Sequence, residues 1–378
     1  MRRYRFGIVH VGLILLFTTA AFSQSQPPVV MIVAGSPEDK ALRAVENEPD
    51  AAKRVQLLDQ FVKDFPAMVQ APDVNEIYVF AYQQLKNSDK LIEYSEKVLA
   101  VKPNDIEVLP RAINAMLEQP SLLDKAWEYA KRYQTLAQNP DTASVGRALS
   151  DQDRVRIQAD AKALYGAARQ QKEYAILQAA YQEANNDKKI ADLEKFVQEF
   201  PDSPQICGAY SILAVTFLQK RDIAKSVENA QKCLQANPDD LDMRVLLADL
   251  QIEDKTKTKE TAELIRRAIE LADALESKPV PEGQNEADWT KRKNYLRGSA
   301  HGLRGYLDLK SGQYAKALPD LELAYKLLGD DPTLLYRLGF ALAKLRRNSE
   351  AENYLSRAAK MPGPFQQAAK KALSELGR

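Results

Sequence analysis

Small and apolar residues recur in a fixed order near the C-terminal end of the chain. Gly305, Ala317, Leu321 and Ala324 are followed, at one constant displacement, by Gly339, Ala351, Leu355 and Ala358. The displacement is about 34 residues, enough for two helices and the turn between them. Spacings of three and four residues put side chains on one face of a helix, so each set predicts a helix, a turn and a second helix. The small residues let two backbones approach closely and the large ones fill the groove beside them. Such a unit cannot bury its apolar face until a neighbour stacks on it. A last stripe, Ala368, Ala369, Ala372, Leu373 and Leu376, alternates with Lys370, Lys371, Glu375 and Arg378. It predicts an amphipathic helix from Phe365 to Leu376 that closes the exposed end of the stack.

A longer period underlies the first. The stretch Lys53 to Pro103 aligns without a gap on Lys188 to Pro238, a displacement of about four units. Leu58 falls on Leu193, Phe61-Val62 on Phe196-Val197, Phe65-Pro66 on Phe200-Pro201, Ile77 on Ile212, Lys97 on Lys232 and Leu99 on Leu234. Generic amphipathic similarity would not align both prolines and the paired Phe-Val, so the echo reads as duplication of a block of several units.

The last unit resembles the tetratricopeptide repeat, which places large, small and large residues on its first helix and small, large and small on its second. Here these roles fall to Leu338, Gly339 and Leu342, then Ala351, Leu355 and Ala358, with Pro362 and Gly363 ending the unit. The resemblance implies an all-α fold, a right-handed α-solenoid of about seven helix pairs with a C-terminal cap. The clearest pairs run from Pro72 to Asp105, Cys207 to Asp240, Gly298 to Asp331 and Pro332 to the C-terminus. Three worn pairs fill the gaps: Ile106 to Pro140, Val155 to Tyr181, and Leu241 to Ala274 with an insertion near Lys255-Lys259. The motif specifies fold and says little about activity.

The N-terminus carries a different signal. Arg2, Arg3 and Arg5 precede an apolar run from Phe6 to Phe22, and Ala21-Phe22-Ser23 offers the small residues a signal peptidase reads. Residues 1–23 are therefore read as a signal peptide cleaved after Ser23. An uncleaved membrane anchor is the other reading, disfavoured by the shortness of the run. Pro27, Pro28, Gly35 and Pro37 make residues 24–44 a tether. An N-terminal array over 45–276 follows, then a Pro/Gly linker over 277–290 marked by Pro279, Pro281 and Gly283, then a C-terminal pair and cap over 291–378.

Composition narrows the class. Hydrophobic residues make up 45% and charged ones 28% of the 378, with few alternating β-branched runs. Nothing in the formal net charge of +1 points to nucleic acid, which usually demands a strongly basic face, and no nucleic-acid partner is expected. The distribution is uneven: residues 278–378 hold 18 Lys and Arg against 11 Asp and Glu, and residues 24–277 carry nine more acids than bases. Such asymmetry can orient an elongated molecule toward a partner of opposite sign.

Binding chemistry is best argued in the terminal pair. In stacked hairpins the first helices line the concave side, and the groove-facing positions lie between packing residues. These are Gly302, Tyr306 and Lys310, with Leu309 beside them, and then Tyr336, Phe340 and Lys344. Tyr306, Lys310, Tyr336, Phe340 and Lys344 are the candidate partner-binding set, aromatic area flanked by ammonium groups that suits a protein or peptide. Packing between units is the plainer use of the same aromatics. Some tetratricopeptide modules clamp a terminal carboxylate with Lys and Asn on the first helices. Gly302, Tyr306, Tyr336 and Phe340 depart from that pattern, leaving Lys310 and Lys344 as point charges. Earlier units offer Phe80 and Asp249 at groove positions.

Catalytic chemistry has thin support. His301 is the one imidazole left after cleavage and falls at a packing position; Gly166, Gly305 and Gly339 sit inside predicted helices as close-packing residues. No phosphate-cradling Gly-rich loop and no His or Cys cluster with metal-ligand spacing occurs, so neither cofactor nor metal is expected. Cys207 and Cys233 come near one end of an antiparallel pair, but an axial offset of roughly 6 Å favours free buried thiols over a bridge. The chain reads as an exported, non-enzymatic scaffold that binds a protein or peptide through its concave face. The Phe-Pro helix ends at Phe65-Pro66 and Phe200-Pro201 are similar to those of bacterial envelope repeat proteins, which implies a role in envelope assembly. A membrane-tethered structural protein and a carbohydrate-binding or enzyme-associated solenoid are the rival readings.

Overall fold

A computed structural model describes residues 34–69, 71–142 and 149–376. Residues 1–23, read from the sequence as a signal peptide, and residues 24–33 of the tether lie outside them. The described residues hold 17 α-helices and no strand. They divide between Gln182 and Glu183 into two compact units. Each is an α-solenoid of stacked antiparallel hairpins.

In the first unit α1 (Pro37–Glu46), α2 (Ala51–Asp64), α3 (Pro72–Gln84), α4 (Ser88–Val101), α5 (Val108–Leu117) and α6 (Leu123–Gln138) pack in sequence order, and α7 (Asp151–Gln182) lies on α5 and α6. In the second, α8 (Asn186–Glu199) packs on α9 (Ile206–Gln219), which pairs with α10 (Ile223–Ala236). Three further hairpins follow: α11 (Leu241–Gln251) with α12 (Thr258–Ala274), α13 (Glu286–Lys310) with α14 (Tyr314–Leu328), and α15 (Pro332–Lys344) with α16 (Asn348–Lys360). The last helix, α17 (Gln366–Leu376), covers α16 and α15. Its Ala369 is fully buried while Lys370, Lys371 and Glu375 stay exposed, as its stripe predicts.

Both periods read from the sequence are visible in the geometry. The displacement that aligns the two blocks carries α2 onto α8 and α4 onto α10 with no offset at either end. Phe61 and Phe65 pack with ring centroids 5.1 Å apart and tilted by 49°; Phe196 and Phe200 repeat this at 5.4 Å and 51°. Asp50 and Asn185, then Asn87 and Asp222, cap the matching helices with side-chain oxygens that take backbone amides otherwise left without a partner. The shorter period shows in the glycines. A Cβ on Gly305 would stand 2.7 Å from Cγ of Leu321, and one on Gly339 would stand 2.6 Å from Cγ of Leu355. Only a residue without a Cβ lets these helix pairs close to that distance.

The turn inside each well-formed hairpin is the same. Lys86, Arg221, Gly312 and Arg346 take positive φ of 53°, 64°, 74° and 60°. The next amide in each bonds back to a carbonyl five residues earlier, as Asn87 does to Tyr82 and Arg347 to Leu342, both at 3.0 Å. This is the left-handed C-cap that reverses a helix end. Three of the four positions are occupied by long basic residues rather than glycine.

Several expectations need correction. The pair placed over Val155 to Tyr181 is one unbroken helix, α7, of 32 residues. Its centre, Gln170-Gln171-Lys172-Glu173, contains good helix formers and no glycine or proline to make a turn. Gly166 is not a close-packing glycine, because nothing lies within 4 Å of where its Cβ would stand. The cysteines are not free. Cys207 and Cys233 are bridged, with Cα atoms 4.1 Å apart. Ala214 and Ala230, buried in the same core as both cysteines, let α9 and α10 approach more closely than an axial offset alone suggests. The helix α1 begins inside the stretch 24–44, where Ser36 caps it and Pro37 occupies its first turn. The segment 277–285 separates α12 and α13, whose Ile265, Ala268, Leu296 and Ala300 share one core.

Candidate functional site

Three successive first helices, α11, α13 and α15, present neighbouring turns to a groove of about 500 Å³ within the second unit. Its apolar floor comes from Val245 and Leu246 of α11, Leu303 of α13 and Leu334 of α15; Pro362, Gly363 and Pro364 close one end. Glycine shapes the α13 wall. A Cβ on Gly298 would stand 2.6 Å from Cγ of Leu328, so α13 sits close against α14, and Gly302 keeps the next turn low.

Charge is distributed along the rim. Asp242 and Asp249 of α11 and Arg337 of α15 line the groove. Asp242 is paired with Arg292 at 2.5 Å, and burial holds its carboxyl above the usual range against that cation. Asp331 caps α15 by accepting the amides of Thr333 and Leu334 at 3.1 and 3.0 Å. The guanidinium carbon of Arg337 lies 3.6 Å from the ring centroid of Tyr306, which fixes the long side chain in one place.

The sequence-predicted residues form two clusters beside this groove. Tyr306 donates its hydroxyl to Oε1 of Glu253 at 2.6 Å. Lys310 donates to Oε2 of Glu253 at 2.8 Å and to the carbonyl of Ile252 at 2.9 Å, tying α13 to the end of α11. Burial first, and then the bond to Glu253, push the Tyr306 phenol up to about 12. Hydrogen bonds from Lys310 and Tyr306 hold the Glu253 carboxyl below its ordinary value. In the other cluster Tyr336 stacks on Phe365 at 5.0 Å and meets Phe340 at 5.9 Å, and the Lys344 ammonium stands 5.2 Å over Phe340. None of the five lines the groove; Gly302 and Asp249, also read as groove-facing, do.

Tyr295, Ser299 and Arg337 are lining residues that sequence reasoning missed. Tyr295 stands two helical turns before Gly302 and hence on the same face, which is the signal that could have found it. The 25-residue α13 extends beyond the start of the repeat motif, and that extension displaces the groove toward its N-terminal half. In the first unit Phe80 lies under Arg111, whose guanidinium carbon is 4.3 Å from the ring centroid.

His301 faces away from the groove. It is 5% exposed, with Nδ1 2.7 Å from Asp320 on α14 and Nε2 3.3 Å from Asp273 on α12. Arg304 donates to both oxygens of Asp320, and Arg297 to Asp273 at 2.7 Å. Burial raises the Asp320 carboxyl, but hydrogen bonds from His301 and Arg304 outweigh it and leave the group below its ordinary value. The network ties three helices together, a structural use of the imidazole.

No family model matches the chain, and no curated protein matches it. Solved structures do. Pseudomonas aeruginosa pilF is 16% identical with a TM-score of 0.39, over 55% of this chain and 90% of that one. The APC/C hetero-tetramer Cut9-Hcn1 is 12% identical with a TM-score of 0.41, over 90% and 63% respectively. A thermophilic TPR protein of Thermus thermophilus is 19% identical with a TM-score of 0.31, over 54% and 98%. Identities of this size say nothing about partners.

Proposed function

We propose that this chain is a non-enzymatic scaffold that holds an extended protein segment in the groove between α11, α13 and α15. The observation that carries this reading is an open apolar floor with Asp249 and Arg337 on its rim. A peptide laid along it would bury apolar side chains on Val245, Leu246 and Leu334 and orient itself by charge. Arg337, held against Tyr306, is ordered before any partner arrives, which lowers the entropy lost on binding. Tyr336, Phe340 and Lys344 form an adjoining aromatic surface on the same first helix and extend the site beyond the groove.

The same reading puts the mature chain outside the cytoplasm, with cleavage after Ser23 and a role in envelope assembly. The leader-like residues 1–23 and the Cys207–Cys233 bridge, a bond that persists in oxidising compartments, support export. Among the described residues no helix is long and apolar enough to cross a membrane. Sequencing the N-terminus of protein from the native host checks the leader, and a start before Gln24 contradicts cleavage.

Photo-crosslinking from Ser299 or Thr333 in the native host tests the groove. Protein adducts absent from the same probe at exposed Lys291, and lost with Arg337→Glu, are expected. Adducts no richer than those from Lys291 would sink the groove reading. Adducts that survive Arg337→Glu but vanish with Tyr336→Ala and Lys344→Glu move the contact to the aromatic surface.

A further inference from the structure

The Cys207–Cys233 bridge stands against the carboxylate that caps α11. Asp240 uses Oδ1 to accept the Met243 amide at 2.9 Å, which fixes the side chain, while Oδ2 lies 3.6 Å from Sγ of Cys207. A disulfide sulfur has no proton to donate, so this oxygen is turned toward a group that cannot satisfy it. The nearby cation Arg292 is bound to Asp242. Two buried cysteines facing a half-buried carboxylate fixed in place are the donor set of a thiophilic cation.

The distances agree. Both sulfurs and a carboxylate oxygen of Asp240 lie within 4.8 Å of one another. A tetrahedral site with Zn–S of about 2.3 Å and Zn–O of about 2.0 Å has a sulfur–oxygen edge of about 3.5 Å. The Cys207–Asp240 separation already matches that edge. The internal duplication supplies a comparison. Asp105, which the block displacement carries onto Asp240, caps α5 through the amides of Glu107 and Val108, and Pro72 and Val98 stand where the cysteines would be. Capping therefore accounts for both aspartates and for neither thiol.

We propose that the reduced protein holds a divalent cation of the zinc class on Cys207, Cys233 and Asp240, with water as fourth ligand, and that the disulfide is the cation-free form of the same site. Conversion needs a dithiol reductant. It passes two electrons and two protons to the S–S bond and becomes a disulfide itself, leaving two thiols. The cation then displaces both protons and takes two thiolates and the carboxylate, as the sulfurs open to the roughly 3.8 Å of a tetrahedral edge. The hydrogen bond from Met243 keeps Asp240 aimed at the ion, as outer partners of metal ligands do.

Cobalt titration of the full chain tests this. After reduction with a phosphine under anaerobic conditions, one equivalent of Co2+ is expected to give sulfur-to-cobalt charge transfer and tetrahedral d–d bands, with two protons released and Zn2+ displacing the cobalt. The oxidised chain should take up none. Asp240→Asn keeps the cap, since Asn caps as well as Asp, and should weaken binding by at least the roughly tenfold that even an outer partner is worth. Cys233→Ala should lose the charge-transfer band while keeping the helical circular dichroism. The proposal is overturned if the reduced chain shows no thiolate band, if Asp240→Asn binds as tightly as the native sequence, or if reduction alone abolishes the helical signal.

Discussion

The guanidinium carbon of Arg337 lies 3.6 Å from the ring centroid of Tyr306, and the Tyr306 hydroxyl donates to Glu253 at 2.6 Å. One phenol thus joins the end of α11 to the groove wall of α15. A double-mutant cycle with Tyr306→Leu and Arg337→Met, followed by urea denaturation, should show a coupling of about 0.5–2 kcal/mol. Additive effects would mean that the stack contributes nothing to stability.

Glycines in otherwise similar helical settings should respond in opposite directions. Gly305→Ala and Gly339→Ala bring a Cβ under 3 Å from Leu321 and Leu355. Each should destabilise by about 1–2 kcal/mol, because overpacking exceeds the helix-propensity gain of alanine. Gly166→Ala meets open space and should stabilise by up to about 1 kcal/mol. Thermal melts of the three variants distinguish them.

The left-handed turns are a reserve of stability. Lys86, Arg221 and Arg346 hold φ near +60°, where a Cβ is crowded by the following carbonyl. Replacing each by glycine should stabilise by roughly 0.5–1 kcal/mol, the relief of strain being partly offset by a freer unfolded chain. Arg221→Ala, which keeps the Cβ, should show no such gain in the same denaturation experiment.

Two buried carboxyls should make stability depend on pH with opposite signs. Asp320 titrates below its ordinary value when folded, so its contribution is present above the unfolded value of 3.8 and is lost as pH falls through the lower folded value. Glu76, raised by burial from 4.5 to about 7 despite Lys102, behaves the other way. Its folded form favours the protonated acid, and stability falls as pH rises from about 4.5 to about 7. Asp320→Asn should flatten the acid limb of the stability profile, and Glu76→Gln the limb between 4.5 and about 7. A profile unchanged by either variant would refute that assignment.

Much of the architecture was legible because it rests on local volume. Leu338, Leu342, Ala351, Leu355 and Ala358 are all buried within their own hairpin, where a small residue permits approach and a large one fills the space, whatever lies farther along the chain. The Phe-Val and Phe-Pro echo was legible for the same reason, since Phe61–Phe65 and Phe196–Phe200 pack inside single helix ends. The missing break in α7 was misread because the pattern of small residues continued while the turn chemistry did not.

The candidate site was less legible. Tyr306 and Lys310 were rightly placed on a first helix, but their partner Glu253 is 53 and 57 residues away, and nothing in the local pattern announces it. Arg337 was passed over in favour of its neighbour Tyr336, because one residue along a helix is a rotation of about 100° and only the packing angle decides which of the two meets the groove.

The sequence by itself determined the all-helical class, the hairpins outside α7, the short and long periods and the closing amphipathic helix, all consequences of periodicity and side-chain size over a few turns. Tertiary structure alone decided that Cys207 and Cys233 join beside Asp240, that His301 is held between Asp273 and Asp320, and which turns of α11, α13 and α15 face one another. Those relations depend on how closely and at what angle neighbouring hairpins stack, and that distance is set by all the side chains between them at once.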